Sequence, residues 1–488
     1  MSSKERVVTG VKWTFVSTMG KRFMALGANV VLARLLAPED FGLVAMAGVV
    51  LGFVDLFRDL GTGAALVRQK TVNPVLQSSV FWLNLAFGIT MTLSMMALSP
   101  VIAALYREPR VQPVIMVMSL SFLLSSISIV QSGVMTRKMR FDAMAKIELS
   151  ASALSYVVGI GAALLGQGVW SLVYQILTYT TLSTTLLWIV GDWRPQLVFV
   201  WAEVRGIMGY SLNLVGYNVF YYFAQNVDNL LIGRYLGTGA LGVYDLAFKL
   251  MAFPMQAISA VFGKVMLPYY AQAQDDLPRF RHVFLQVARA IAFVTFPLMI
   301  GLFAAREHFV LTVFGADWAP MIPLLAMFAP LAAIRSVLTT TGSIYVATGR
   351  ADLQLRWGIV SNLVVFAGLA IGLQWGVIGV ATGFTVTALL LLYPNFMIPF
   401  RLVGLTLPAL FKALRPTLLC TALMLALLFT LDLLVADRLG HGAALVLLVC
   451  AGVISYTIFT WTLNREMLHQ FFATAGLKKP AAIPAEQP

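Results

Sequence analysis

The chain has 488 residues, of which 59% are hydrophobic and only 11% charged, whereas an average soluble domain carries roughly 25% charged residues. With a mean hydropathy of +0.85, it has too few polar side chains to wrap a water-facing globule, so lipid is its main solvent. The net charge of +13 does not describe a nucleic-acid reader, because the Lys and Arg are scattered through short loops instead of clustering on one face.

A spanning helix needs about 20 mainly apolar residues. Read in chain order, the pattern predicts fourteen: 11–35, 41–60, 77–105, 112–134, 147–166, 168–190, 206–233, 242–267, 283–305, 319–347, 353–373, 376–400, 413–435 and 442–463. The first stretch is too long for the apolar region of a signal peptide, so it is expected to be kept as a helix. With the N-terminus in the cytoplasm and strict alternation, the outer side holds only Arg34, Arg107, Arg110, Arg234, Arg306 and Arg438 of the loop and helix-end cations. The large majority fall inside, which is the bias that sets orientation. Both termini are therefore expected in the cytoplasm. Cys420 and Cys450 lie in apolar segments and read as small core residues, and the four histidines match no metal-ligand spacing.

The chain repeats itself two hundred residues on. Arg34, Leu36, Gly42, Ala47 and Phe53 recur as Arg234, Leu236, Gly242, Ala247 and Phe253, each time around the first two helices of a six-helix set. An even number of helices per repeat makes the two sets parallel, arranged about an axis along the membrane normal. The expected organisation is an all-α polytopic membrane protein with a six-helix lobe over 1–200 and a second over 201–405. Two additional helices over 406–465 and an unstructured cytoplasmic tail over 466–488 complete it. No loop has room for a soluble catalytic domain, and no Gly-rich phosphate loop is present.

Between the first two helices, Leu32-Ala-Arg-Leu-Leu-Ala-Pro-Glu-Asp-Phe-Gly42 is followed by Asp59-Leu-Gly-Thr-Gly-Ala-Ala-Leu-Val-Arg68. This opening resembles that of Wzx-type polysaccharide exporters, members of the multidrug/oligosaccharidyl-lipid/polysaccharide flippase superfamily, and the helix layout resembles theirs along the whole chain. The resemblance implies an alternating-access flippase, not an enzyme, in the bacterial inner membrane. Its substrate would be an undecaprenyl-diphosphate-linked oligosaccharide for exopolysaccharide, capsule or O-antigen, with a polysaccharide polymerase and chain-length machinery as partners. Physically, Pro38 ends the first helix, Glu39 and Asp40 suit the dipole at the start of the second, and Gly42 permits close packing. The same residues also describe a tight turn with no transport chemistry, with Arg34 and Arg234 reaching the outer interface.

Carrying a diphosphate and a glycan through hydrocarbon calls for a hydrated cavity with cations, so ionisable groups inside helices are the candidates. Thr14, Ser17, Thr18 and Lys21 share one face of the first helix, and Arg22 points about 100° away. Lys21 either faces a cavity or snorkels to the headgroups. In the seventh helix, Asn218, Tyr221, Gln225 and Asp228 line one face and suit glycan binding. Arg289, Arg335 and Arg356 are further candidates for cavity cations. Asp245 and Lys249, four apart, form either a neutralised pair or a proton-linked switch. No cofactor is expected. Proton or sodium coupling stays open, with Asp228 or Asp245 as the titrating group. Asp55, Arg58 and Asp59 form a solvated cluster or a gate. The competing readings are a drug or lipid-precursor exporter of the same superfamily, and a membrane-embedded glycan ligase or polymerase.

Overall fold

The computed structural model describes residues 3–57, 66, 73–272, 276–435, 439–465 and 467–468, without the side chains of 3–9, 11, 206–220 and 256–272. Arg58 and Asp59, and the tail after residue 468, lie outside the described residues. The described chain is helical, and no strand occurs in it. In order the helices are α1 Ser3–Leu35, α2 Pro38–Asp55, α3 Pro74–Tyr106, α4 Val111–Arg137, α5 Phe141–Leu164 and α6 Trp170–Val190. Residues 201–272 run as one helical stretch broken at Gly237, giving α7 over 201–236 and α8 over 238–272. Then follow α9 Leu277–Val313, α10 Met321–Ala347, α11 Ala351–Gly372, α12 over 376–403, α13 Leu407–Val435 and α14 His441–Leu463. Each expected span has its helix, and nine stretches of the described residues are long and apolar enough to cross a membrane by themselves.

The breaks follow local chemistry. Pro38 opens α2, and the Asp40 carboxylate accepts from the Ala37 backbone N–H at 3.3 Å, satisfying a donor that the helix start leaves bare. Asn73 caps α3 by accepting from the Leu76 N–H at 2.6 Å. Gly237 has φ 86, a left-handed value that glycine adopts without steric cost, and it separates α7 from α8 where the sequence merely suggested a gap.

By packing, the chain forms two units, Met1–Asp245 and Leu246–Pro488. This division lies beyond the repeat boundary at 200/201, because the described part of α7 and the start of α8 pack with the first unit. There the Tyr222 hydroxyl donates to the Val49 carbonyl of α2 at 2.7 Å, and Phe223 meets Phe53 with ring centres 5.1 Å apart. In lipid, apolar side chains gain little by leaving the solvent, so helices associate through close backbone approach and buried hydrogen bonds. Accordingly Gly10 and Gly20 of α1 lie against Phe141 and Leu149 of α5, and Gly88 of α3 lies against Ser126 of α4. Thr184 and the Trp188 indole of α6 donate to the Leu124 and Ile127 carbonyls of α4 at 3.0 and 3.1 Å.

The ends of the first unit segregate as alternation requires. Arg137 donates to the Leu66 carbonyl, Arg140 to the Val190 carbonyl, and Lys138 pairs with Asp192 at 3.2 Å. The loops that follow α2, α4 and α6 thus meet at one end. At the other, Glu39 lies beside Gly239 and Asp40 beside Gly168, and the Arg110 guanidinium feels both carboxylates.

In the second unit α9 is the hub. Thr295 bonds to Ser336 of α10 at 2.7 Å, and the Tyr456 hydroxyl of α14 donates to the Phe293 carbonyl at 2.8 Å. Ala304, Ala305, Met424, Leu428 and Leu448 form a core that fastens α13 and α14 to α9. In α11 and α12, Gly368 meets Gly383 and Gly372 meets Gly379 backbone to backbone. Both cysteines are free. Cys420 is buried as expected, but Cys450 of α14 is exposed. Reading it as a core residue is therefore corrected: α14 is apolar all round, so its sequence does not mark which side is packed.

Candidate functional site

The cations of α1 are placed by the pairing of α1 with α5. These helices run side by side from Gly10 and Phe141, through Trp13 beneath Lys146, to Gly20 and Leu149. One residue further on, Lys21 Nζ meets Glu148 Oε2 at 2.7 Å, with both side chains about a third exposed. The Tyr179 phenol of α6 lies within electrostatic reach of both. Lys21 thus neither snorkels alone nor stands as a bare cavity cation: it is held in an ion pair. The hydroxyls of the expected stripe turn back on their own helix. Thr14 donates to the Gly10 carbonyl at 2.8 Å, and Ser17 and Thr18 donate to the Thr14 carbonyl at 3.2 and 2.7 Å. Arg22 points elsewhere, and among the described residues its buried Nη1 has no hydrogen-bond partner.

On α7 the polar face divides. Tyr221 and Gln225 are exposed, while Asp228 is buried, accepting from the Tyr244 hydroxyl at 3.0 Å and from the Asn229 N–H at 2.8 Å. The side chain of Asn218 lies outside the described residues. Through the Tyr244 bond Asp228 ties α7 to α8. Asp245 is buried and Lys249 exposed on α8. Among the second unit's candidates, the Arg335 guanidinium lies 5.2 Å from the Phe384 ring centre, Arg289 is half-buried and Arg356 exposed. These three cations are spread over α9, α10 and α11.

Two groupings were not foreseen. The span expected at 147–166 puts Glu148 at a helix end; with α5 starting at Phe141 it stands about two turns inside. His308 and His441, distant in sequence, meet Nδ1 to Nδ1 at 3.0 Å, and His308 Nε2 faces the Asp432 carboxylate at 2.9 Å. The histidine ring centres are 5.2 Å apart, so the facing nitrogens lie close to the line between the rings. Among the described residues no group of three or more His, Cys, Asp or Glu is placed to hold a metal ion.

The Pro38–Gly42 motif has a structural role that the repeat explains. A Cβ on Gly42 would strike the Thr238 carbonyl, and one on Gly242 would strike the Pro38 carbonyl. Positions 38 and 238, and 42 and 242, correspond in the repeat, so the two copies cross backbone on backbone about a local pseudo-twofold. Outside the spans, Arg110 donates twice to Glu108, at 2.8 and 3.0 Å, and this fork holds the Glu108 carboxyl below its ordinary range.

Fold and site together define a polytopic helical membrane protein with charged groups placed within its spans. The solved structure of the lipid II flippase MurJ in an inward closed conformation shares the fold, with a TM-score of 0.75 at 14% identity over 94% of this chain and 100% of that one. A family model described as polysaccharide biosynthesis protein matches residues 31–323. The chain belongs to that family. Similar proteins include the lipopolysaccharide biosynthesis protein WzxC of Escherichia coli K12, 26% identical over 79% of both chains. The succinoglycan biosynthesis transport protein ExoT of Rhizobium meliloti is 26% identical over 98% of this chain and 97% of its own.

Proposed function

We propose that this chain is a flippase that carries an undecaprenyl-diphosphate-linked oligosaccharide from the cytoplasmic to the periplasmic leaflet of the bacterial inner membrane. The repeat unit would serve exopolysaccharide, capsule or O-antigen synthesis, with a polymerase and chain-length machinery downstream. The observation that carries this reading is the cationic position on α1, where Arg22 has a buried guanidinium nitrogen without a partner next to the ion-paired Lys21. An unsatisfied charged donor in a membrane span is costly, and a diphosphate is a ligand that would satisfy it. Tyr221 and Gln225, exposed on α7, would meet the glycan; Arg289, Arg335 and Arg356 are the second unit's own candidate cations. The names of the relatives, which place them in polysaccharide assembly and transport, support the substrate class.

The test is transbilayer movement of a fluorescent undecaprenyl-diphosphate oligosaccharide in proteoliposomes, with and without a pH or sodium gradient. Movement above that of empty liposomes is expected. Acceleration by one of the gradients would identify the coupling ion, and equal rates would mean flipping that needs no ion gradient. A folded protein that moves none of several glycans would overturn the reading.

A further inference from the structure

The Lys21–Glu148 pair poses a question that the proposed function does not answer: why a cation needed by an anionic substrate is already neutralised. A bare ammonium within a span would be unstable, because charge taken out of water costs several kcal/mol unless it is paired. A permanently buried pair, on the other hand, could not receive a ligand. This pair is neither, since each side chain is about a third exposed and the contact is a single Nζ–Oε2 approach of 2.7 Å.

We propose that Glu148 is the internal counter-ion of the empty transporter, displaced from Lys21 by the substrate's diphosphate and recapturing Lys21 when the substrate leaves. This rests on the flippase reading given above. The chemistry favours exchange in both directions. A diphosphate carries more negative charge than one carboxylate and several acceptor oxygens, so it outcompetes Glu148 while it is bound. Glu148, tethered on α5 beside α1, is always at high local concentration, so it reclaims Lys21 as soon as the diphosphate begins to depart. The carboxylate thereby keeps the cation from holding its cargo too tightly. The charged and titratable groups around the pair are Arg22 next to Lys21 on α1, Lys146 over Trp13 on α5, and Tyr179 on α6. No second carboxylate of α1, α5 or α6 is recorded against Lys21 among the described residues.

The experiment measures binding of farnesyl diphosphate to the purified full-length protein by calorimetry, with farnesol as the control for the apolar tail. Glu148→Gln keeps the shape and removes the competitor, so it is expected to bind about tenfold tighter. Lys21→Met is expected to bind at least tenfold weaker. A merely structural carboxylate would give the opposite sign for Glu148→Gln, because loosening α1 from α5 weakens the site. Equal or weaker binding by Glu148→Gln therefore overturns the counter-ion role while leaving the flippase reading intact. If wild-type protein binds farnesyl diphosphate no better than farnesol, both fall. Should Glu148→Gln fail to fold, the charge-swapped Lys21→Glu/Glu148→Lys protein decides. It restores the pair with the cation a side-chain length away, and retained binding supports the exchange, whereas a folded swap that binds nothing overturns it.

Discussion

A buried guanidinium nitrogen without a partner is a cost that a purely structural helix would shed. Arg22→Gln is therefore expected to leave thermal stability in detergent unchanged or raised, since the orphaned donor of Arg22 goes with the charge. Flipping in proteoliposomes should fall at least about tenfold, a loss of one charge-assisted contact. A variant that melts lower and transports normally would make Arg22 a packing residue. The loop pair Glu108–Arg110 makes a different, pH-dependent prediction. The fork keeps the Glu108 carboxyl below its ordinary range, so the folded chain binds that proton less readily than the unfolded one. Its contribution is complete above the ordinary carboxylate pKa and is lost as the pH falls through the lowered value. Glu108→Gln should melt slightly lower than the parent at neutral pH, by about 0.5 kcal/mol or less for so exposed a pair, and match it in acid. Sequence reasoning could single out Lys21 and Arg22 because a cation within an apolar run is conspicuous by itself. It could not supply Glu148, because the partner of a charge on another helix depends on register, and a six-residue error in the start of α5 moves that acid from the interface into the span.

At the scale of helices, the sharpest constraint is the crossing of α2 and α8. The obstacle to a side chain at Gly42 is the Thr238 backbone carbonyl, which cannot swing aside as a side chain would. Gly42→Val is expected to destabilise the protein by about 1–3 kcal/mol or to prevent folding. Gly242→Val should cost about as much, because it meets the equivalent Pro38 carbonyl. Gly27→Ala is the control. Nothing lies within 4 Å of its added methyl, and the exchange improves helix propensity by up to about 1 kcal/mol. Thermal melts of the three variants check the contrast, and an unperturbed Gly42→Val would remove the crossing from the account. The sequence carried this element well: the two-hundred-residue repeat pointed to Gly42 and Gly242, and Pro38 to the end of α1. What it could not show is that the two copies touch each other, because a repeat gives correspondence and not contact. The histidines teach the same lesson. His308 and His441 share no local spacing, and only the docking of α13 and α14 on α9 brings them together with Asp432.

For the molecule as a whole, the charge bias predicts an orientation, and the first unit offers a direct way to test it. The fourteen helices were legible because the bilayer demands long apolar runs, and the positive-inside bias then predicts which of the two inverted topologies the chain takes. Within the unit, the Lys138–Asp192 cluster gathers loops of one side, and Arg110, with Glu39 and Asp40, marks the other. Single cysteines at Arg110 and at Asp192, in a background with Cys420 and Cys450 replaced by alanine, report on those two ends. In intact bacterial cells a maleimide that crosses the outer membrane but not the inner is expected to label Arg110→Cys and to leave Asp192→Cys unlabelled until the inner membrane is opened. The reverse pattern would invert the topology and turn the Lys21–Glu148 pair, whose Glu148 lies about two turns into α5 from the Asp192 end, towards the periplasm. A cytoplasmic entry site for a diphosphate would then be lost, and with it the direction of transport. Labelling of both cysteines in intact cells would mean that the loops do not alternate, against the packing that brings Leu66, Arg137 and Val190 to one end.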